Sequence, residues 1–445
     1  MMSRLALAAA SLGAALIALT VVPPAAIAQD TTPPRGVRLG LGYDAGVKPA
    51  VVVGVVRGAW GDSARAIVQR DLDFGDRVEV LGLPGTPAAD AVTQVGVGVN
   101  YVVWKTIGAA AAVQMTLVSG GVHVAVHDVG RRAVLQARDF PLTAAPGSAE
   151  WRLGVHAASD EIERWLTGTH GSAATRILFV RGGRVYVVDS DGWGERALTE
   201  SGTSLSPAWH PSGRMIAYST LTDRGWRILL RELGGAAAHA LTTTPQGLNI
   251  TPAFSPDGAW LAYAHGEEDG TDLFLVPVSG PAASGAARQV TVGRGTDNMS
   301  PSFSPDGRRV AFTSGRIGHP EVYVADADGA NAELLTPFAF GEEAYRSNPD
   351  WSPDGRQIAY QAQFNGVFQL MTIGLRDRAV RQLTSEGRNE DCSWAPDARH
   401  LVFSSTRTGA RELFVLDVES GRARQLTHAP GARLPAWSPS LLSVP

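Results

Sequence analysis

The chain has 445 residues, a formal net charge of −4, 18% charged residues and 7% aromatic residues. That balance leaves no basic stripe to track a phosphate backbone, so nucleic acid is not expected as a partner. The length allows two or three domains, and 50 glycines with 27 prolines suit a turn-rich β protein.

Residues 1–28 read as an export signal. Arg4 supplies the positive start, Leu5 to Val22 the apolar run, and Ala26-Ile27-Ala28 a small-residue cleavage site. Cleavage after Ala28 predicts a mature chain beginning at Gln29. The apolar run is long enough that a retained anchor is the alternative. No cysteine follows the site to carry a lipid, and no later stretch is apolar enough to span a bilayer. The polar segment 29–36, with two prolines, is expected to be mobile.

A mixed α/β domain is expected over 37–168. Val51 to Val56 is a continuous apolar strand of the kind buried on both faces. Asp62-Ser63 offers an N-cap for a helix from Ala64 to Leu72, and Arg77 to Leu81 reads as another strand. Val113 to Val118 and Val122 to Val126 flank Ser119-Gly120-Gly121 as a hairpin. A helix from Ser148 to Leu166 places Trp151, Val155, Ala158, Ile162 and Trp165 on one apolar face. Residues 169–174 are the linker.

From 175 to 445 the chain repeats. Phe254-Ser255-Pro256-Asp257-Gly258 ends one strand in a tight turn, where Pro presets φ, Asp can bond its own backbone and Gly accepts positive φ. The unit recurs at Trp209-His210-Pro211, Phe303-Ser304-Pro305, Trp351-Ser352-Pro353, Trp394-Ala395-Pro396 and Trp437-Ser438-Pro439, a period of roughly 43–49 residues. Four strands per period predict a β-propeller, with each motif aromatic buried between blades. Arg176 to Val180 and Val185 to Asp189 lack a motif strand before them, while Pro435 to Pro439 has no strand after it. The last strand should therefore complete the first blade, closing six blades without an exposed edge.

Chemistry-bearing constellations are sparse. The sequence contains no Gly-x-Ser-x-Gly elbow and no Walker loop, and its ten histidines are dispersed without a Cys/His cluster, so catalysis, a cofactor and a metal are not expected. Asp189-Ser190-Asp191-Gly192 and Asp326-Ala327-Asp328-Gly329 lack the twelfth-position Glu of a calcium loop and read as turns. His210 reads as a surface variant, and the single Cys392 as a buried, inert thiol. The segments entering each motif strand converge on one mouth of the channel, where rigid scaffolds commonly carry binding loops. The candidate partner-binding residues there are Leu248, Asn249, Ile250, Thr251, Asp297, Asn298, Met299, Ser300, Arg346, Asn348, Arg388, Asn389 and Arg433. Leu248 and Met299 are the apolar anchors, with Asn249, Asn298, Arg346 and Arg388 as polar contacts around them.

These features together resemble the TolB family. The resemblance rests on His156-Ala157-Ala158-Ser159-Asp160-Glu161-Ile162, Leu166-Thr167-Gly168, Thr175-Arg176-Ile177, Ser206-Pro207-Ala208-Trp209 and Pro435-Ala436-Trp437-Ser438-Pro439. Val37-Arg38, Gly46 and Val53-Gly54-Val55-Val56 resemble that family's first domain. The resemblance implies a periplasmic, non-enzymatic scaffold of the Tol–Pal system that supports outer-membrane integrity and cell division. It implies that a Pal-like lipoprotein docks at the propeller mouth, on Leu248 to Thr251 and Asp297 to Ser300. It implies that TolA engages the mature N-terminal segment, so the protein is peripheral to the outer membrane through partners only, and a monomer. Leu248 and Met299 are more apolar than the family's residues at those places. The rival readings are an exported propeller holding a small ligand or saccharide in its channel, and an enzyme.

Overall fold

The computed structural model describes residues 48–442, apart from 87, 97, 201, 236, 243–246, 268, 279–286, 294 and 338–344. The export signal, its cleavage site, the segment 29–36 and the resemblance at Val37-Arg38 and Gly46 lie outside the described residues. Among the described residues no helix is long and apolar enough to cross a membrane.

The first sheet is built on β1 (Ala50–Val53). Its order is β2-β1-β3-β4-β5, with β2 at Glu79–Leu81, β3 at Ala111–Val118, β4 at Gly121–Asp128 and β5 at Ala133–Pro141. β1 pairs parallel with β2 and β3, and β3-β4-β5 is an antiparallel meander. Side chains alternate across a strand, and β1 uses both faces. Val51 and Val53 pack under α1 (Gly61–Phe74) with Ile67, Val68 and Leu72. Val52 packs on the other face with Val92 of α2 (Ala88–Val95) and Trp104 of α3 (Tyr101–Thr106). A strand covered on both faces must be apolar throughout. The long helix α4 (Ala149–Thr167) lies beside α1. Ser148 caps α4 by accepting the Trp151 N–H at 3.2 Å. Trp151, Val155, Ala158 and Ile162 face the core, with Trp165 half-buried against it.

Several expectations for this sheet are corrected. β1 stops at Val53, where the Gly54 N–H bonds the Val113 carbonyl. α1 starts at Gly61 rather than Ala64, and Trp60 holds the N-cap place at φ 71° with no side-chain cap. A Cβ at Gly61 would collide with the Val56 carbonyl, so close backbone approach sets this start instead of Asp62. β2 begins at Glu79, because Arg77 is drawn aside to Glu163 and Asp397. The helices α2 and α3 and the strand β5 are not foreseen by the sequence reading.

Six four-stranded antiparallel sheets follow. In the first blade Arg433–Trp437 pairs with Arg176–Arg181, followed by Arg184–Asp189 and Arg196–Ala197. Ala436 sits opposite Leu178 and Trp437 opposite Ile177, so the ring closes through the C-terminal strand as the repeat phase requires. The inner strands of blades two to six are Ser204–Trp209, Leu248–Phe254, Asn298–Phe303, Arg346–Trp351 and Asn389–Trp394. Trp209, Trp351, Trp394 and Trp437 are buried, whereas Phe254 and Phe303 are only half-buried. The tryptophans also tie neighbouring blades together: Trp209 Nε1 donates to the Ala436 carbonyl at 3.1 Å, and Trp394 Nε1 to the Asp350 carbonyl at 3.1 Å. His210 is half-buried, edge-on to Phe254 at 5.0 Å, so it packs a blade contact rather than standing free on the surface.

Candidate functional site

Each inner strand carries one register shift against its neighbour. At each shift a residue other than glycine takes positive φ: Ser206 (46°), Thr251 (49°), Ser300 (54°), Asn348 (51°), Asp391 (57°) and Leu434 (50°). Asn and Asp tolerate that conformation, but for Thr251 and Leu434 it is strained. The six places form a ring, and side chains stitch five of them together. Thr251 Oγ1 accepts the Ser300 N–H at 3.2 Å, and Ser300 Oγ lies 2.9 Å from Asn348 Oδ1. Asn348 Nδ2 donates to Asp391 Oδ1 at 3.1 Å, and the Leu434 N–H donates to Asp391 Oδ2 at 3.3 Å.

The ring defines the mouth. Counting back from each positive-φ residue, the third position is at the surface, the second is buried except at half-buried Arg346, and the first is mixed. Leu248, Asp297 and Tyr345 are exposed third positions, and Arg388 is half-buried there. Leu248 is 40% exposed despite being apolar. Ile250 and Met299 are half-buried first positions in one apolar cluster with Phe312, and Arg433 is exposed. Tyr345, packed edge-on to Phe368 at 5.3 Å, belongs to this surface and was missed by the sequence reading. Its signal is the count of three back from Asn348, legible only once the shift is located.

The buried second positions correct the expectation that their amides meet a partner. Asn249 Nδ2 donates to the Trp226 carbonyl at 2.8 Å, Asn298 Nδ2 to Asp272 Oδ1 at 2.9 Å, and Asn389 Nδ2 to Gln369 Oε1 at 2.8 Å. All three are fully buried. They satisfy groups of the adjoining blade, where an unpaired polar atom would be costly. Arg346 holds Glu321 at 2.7 Å, and Arg388 holds Glu390 at 2.9 Å.

Below the mouth a channel of about 380 Å³ is lined by the inner strands. Asp350 accepts the Trp394 N–H at 2.7 Å, and burial pushes its carboxyl up to about 6. Burial, with Glu390 adding, raises Asp391 too. Burial pushes the Cys392 thiol well up, keeping it protonated. Among the described residues, one His/Asp group brings donor atoms within metal-binding reach: His156, Asp189 and Asp191. Arginines already occupy its carboxylates. Arg152 and Arg70 reach Asp191 at 2.5 and 2.7 Å, and Arg176 reaches Asp189 at 2.9 Å. The acidic turn Asp189 to Gly192 therefore anchors the propeller to α4 and α1.

The profile of the family described as TolB beta propeller domain matches residues 163–441. The chain is 30% identical over 215 residues to the Tol-Pal system protein TolB of Thioalkalivibrio sulfidiphilus, covering 43% of this chain and 47% of that one. It is 31% identical over 226 residues to the Tol-Pal system protein TolB of Methylococcus capsulatus, covering 47% and 51%. These matches span about half the length of the curated relatives. The crystal structure of TolB from Acinetobacter baumannii shares the fold, with a TM-score of 0.73 over 88% of this chain and 97% of that one, at 23% identity. With more than half of its length matched by the family profile, and with the six-bladed ring and α/β layer in place, the chain belongs to the TolB family.

Proposed function

We propose that the chain is a non-catalytic scaffold of the Tol-Pal type, exported to the periplasm with cleavage after Ala28. In this reading the mature segment 29–36 meets TolA, the α/β domain spans 37–168, residues 169–174 link it to the propeller, and 175–445 form the docking body. The propeller mouth seats a Pal-like lipoprotein domain, linking it to TolA in support of outer-membrane integrity and division. The observation that carries this reading is the mouth itself. Exposed Leu248 and Tyr345 and half-buried Met299 stand on adjoining blades of a closed ring, rimmed by Asp297 and Arg433. Apolar centres with polar rims concentrate binding energy, and a rigid base lowers the ordering cost of docking. The relatives' name, Tol-Pal system protein TolB, supports the choice of partner.

Titration of a purified Pal-like domain against Met299→Asp tests it. The variant should lose roughly 2 kcal/mol or more of binding, about thirtyfold in Kd. Arg308→Asp, just after the Pro305-Asp306-Gly307 turn at the other end of the blade, should bind as the parent does. Equal affinity of Met299→Asp and the parent would place the interface elsewhere. A second reading, a small ligand or saccharide in the channel, draws on its volume of about 380 Å³. A melting shift produced by a panel of saccharides and unaffected by Met299→Asp would favour it.

A further inference from the structure

The α/β layer meets the first and sixth blades along a seam of ionisable side chains. On α4, Asp160 and Glu163 lie one helical turn apart and are both buried. A methyl group built on Gly171 would stand 2.5 Å from Asp160 Oδ1 and 2.9 Å from Glu163 Oε2, so both carboxyls crowd one α-carbon. Asp160 accepts the N–H groups of Ala173 and Ala174 at 2.7 and 2.9 Å. Glu163 faces Arg77 Nε at 2.9 Å, and Arg77 also reaches Asp397 of the sixth blade at 3.5 Å. Asp397 in turn holds His400 at 2.7 Å, and Arg399 holds Asp417 and the Asp76 carbonyl. Two turns before Glu163, fully buried His156 has Nδ1 2.8 Å from Asp71 of α1 and Nε2 3.9 Å from Asp191 of the first blade. At the far side Arg422 bridges Asp73 and Asp76, Lys48 also pairs with Asp76, and Arg424 lies 3.9 Å over the Phe74 ring.

We propose that this seam is a proton-loaded joint: Asp160 and Glu163 retain protons near neutrality, His156 holds one between Asp71 and Asp191, and losing these protons loosens the α/β layer from the first and sixth blades. Two crowded, buried carboxyls cannot both ionise cheaply, and the pair titrates as a unit. Burial pushes Asp160 up to about 7 against its two backbone donors. Burial pushes Glu163 up to about 8, with Arg77 opposing and Asp160 and Asp397 adding. For His156 burial, with the Arg152 guanidinium adding, would lower the value, but Asp71 and Asp191 outweigh both and the net shift is upward. All three shifts are upward, so their stabilisation is complete below the unfolded values and is lost as pH rises through the folded ones. For the carboxyls that window runs from about 4 to about 8. Asp191 and Asp397 are shifted downward, and Asp76 down to about 2, so their contributions fail only in strong acid. The joint is tightest in mild acid and loosens toward alkali.

Hydrogen exchange and infrared spectroscopy on the full mature chain test this, with exchange corrected for its intrinsic pH dependence. Between about pH 5.5 and about pH 8, opening at residues 71–77 and along α4 should grow by up to about tenfold per pH unit for each proton released. Strand Arg309–Ser314 of the fourth blade should not follow. The carbonyl stretch of a neutral carboxylic acid should be present in mild acid, fade by about pH 9, and shrink in Glu163→Gln, which should also flatten the exchange profile. Glu333→Gln, on the propeller surface, is the control. Absence of the neutral-acid band in mild acid, or an unchanged band and profile in Glu163→Gln, overturns the proposal. Should Glu163→Gln fail to fold, the exchange profile of the parent chain decides, because buried Asp350 and Asp391 of the channel also contribute to the infrared band: opening at residues 71–77 that does not grow with pH overturns the proposal. The result stands apart from whether the mouth docks a partner.

Discussion

Replacing Trp437 by alanine removes the side chain that locks the ring. Its indole is 7% exposed and packs among Ile177, Phe179, Val188, Val402 and Leu413, which come from both flanks of the closure. Its Nε1 donates to Thr175 Oγ1 at 2.8 Å. A buried indole removes about 200 Å² from water, worth about 5 kcal/mol at 25 cal/mol/Å². Large-to-alanine changes in cores cost about 3–5 kcal/mol, and Thr175 would lose its donor, so a loss of about 4 kcal/mol is expected. For a body of this size that lowers Tm by about 8 °C. Trp260, 42% exposed on the third blade, supplies the control: Trp260→Ala should cost about 1 kcal/mol or less. Urea unfolding followed by circular dichroism reads both. Trp437→Ala unfolding within about 1 kcal/mol of the parent would refute the clasp as a principal source of stability.

Intact-mass measurement of the native protein should find a mature N-terminus at Gln29; retention of residues 1–28 would defeat the export reading. Cys392, buried with its thiol held protonated, should react with a thiol reagent only at the rate of unfolding, and labelling of the folded chain on mixing would contradict its burial. Asn298→Ala should cost about 1–3 kcal/mol of stability, because Asp272 and Arg316 lose their partner. A variant that kept full stability yet lost docking would return Asn298 to the binding surface.

The repeat was legible because its signals are short-range. Pro, Asp and Gly at fixed offsets impose a turn wherever they stand, and the terminal half-motif required the pairing of Ala436 with Leu178. The apolar run at Val51 likewise announced a strand covered on both faces, and Ser148 announced the start of α4. α2 escaped because its single buried residue, Val92, leaves little periodic stripe to read. The helix start at Gly61 escaped because it is set by contact with the Val56 carbonyl rather than by capping chemistry.

The mouth was legible as a location but not as a set of side chains. The segments before the motifs do share one end of the ring, yet a single register shift in each inner strand turns Asn249, Asn298 and Asn389 inward and Tyr345 outward. Alternation reverses with one extra residue, and nothing in Thr251 or Leu434 marks a positive φ.

By itself the sequence determined the number of blades, the manner of closure and the convergence of the segments before the motifs on one end of the ring. Tertiary structure alone decided which polar groups lose water and which charges meet. Arg422 finds Asp73 across 349 residues, and Asp160 and Glu163 meet the backbone at Gly171 beneath a blade that begins far downstream. Turn and strand preferences act over a few bonds, whereas desolvation and charge pairing depend on distances that exist only after the chain has packed.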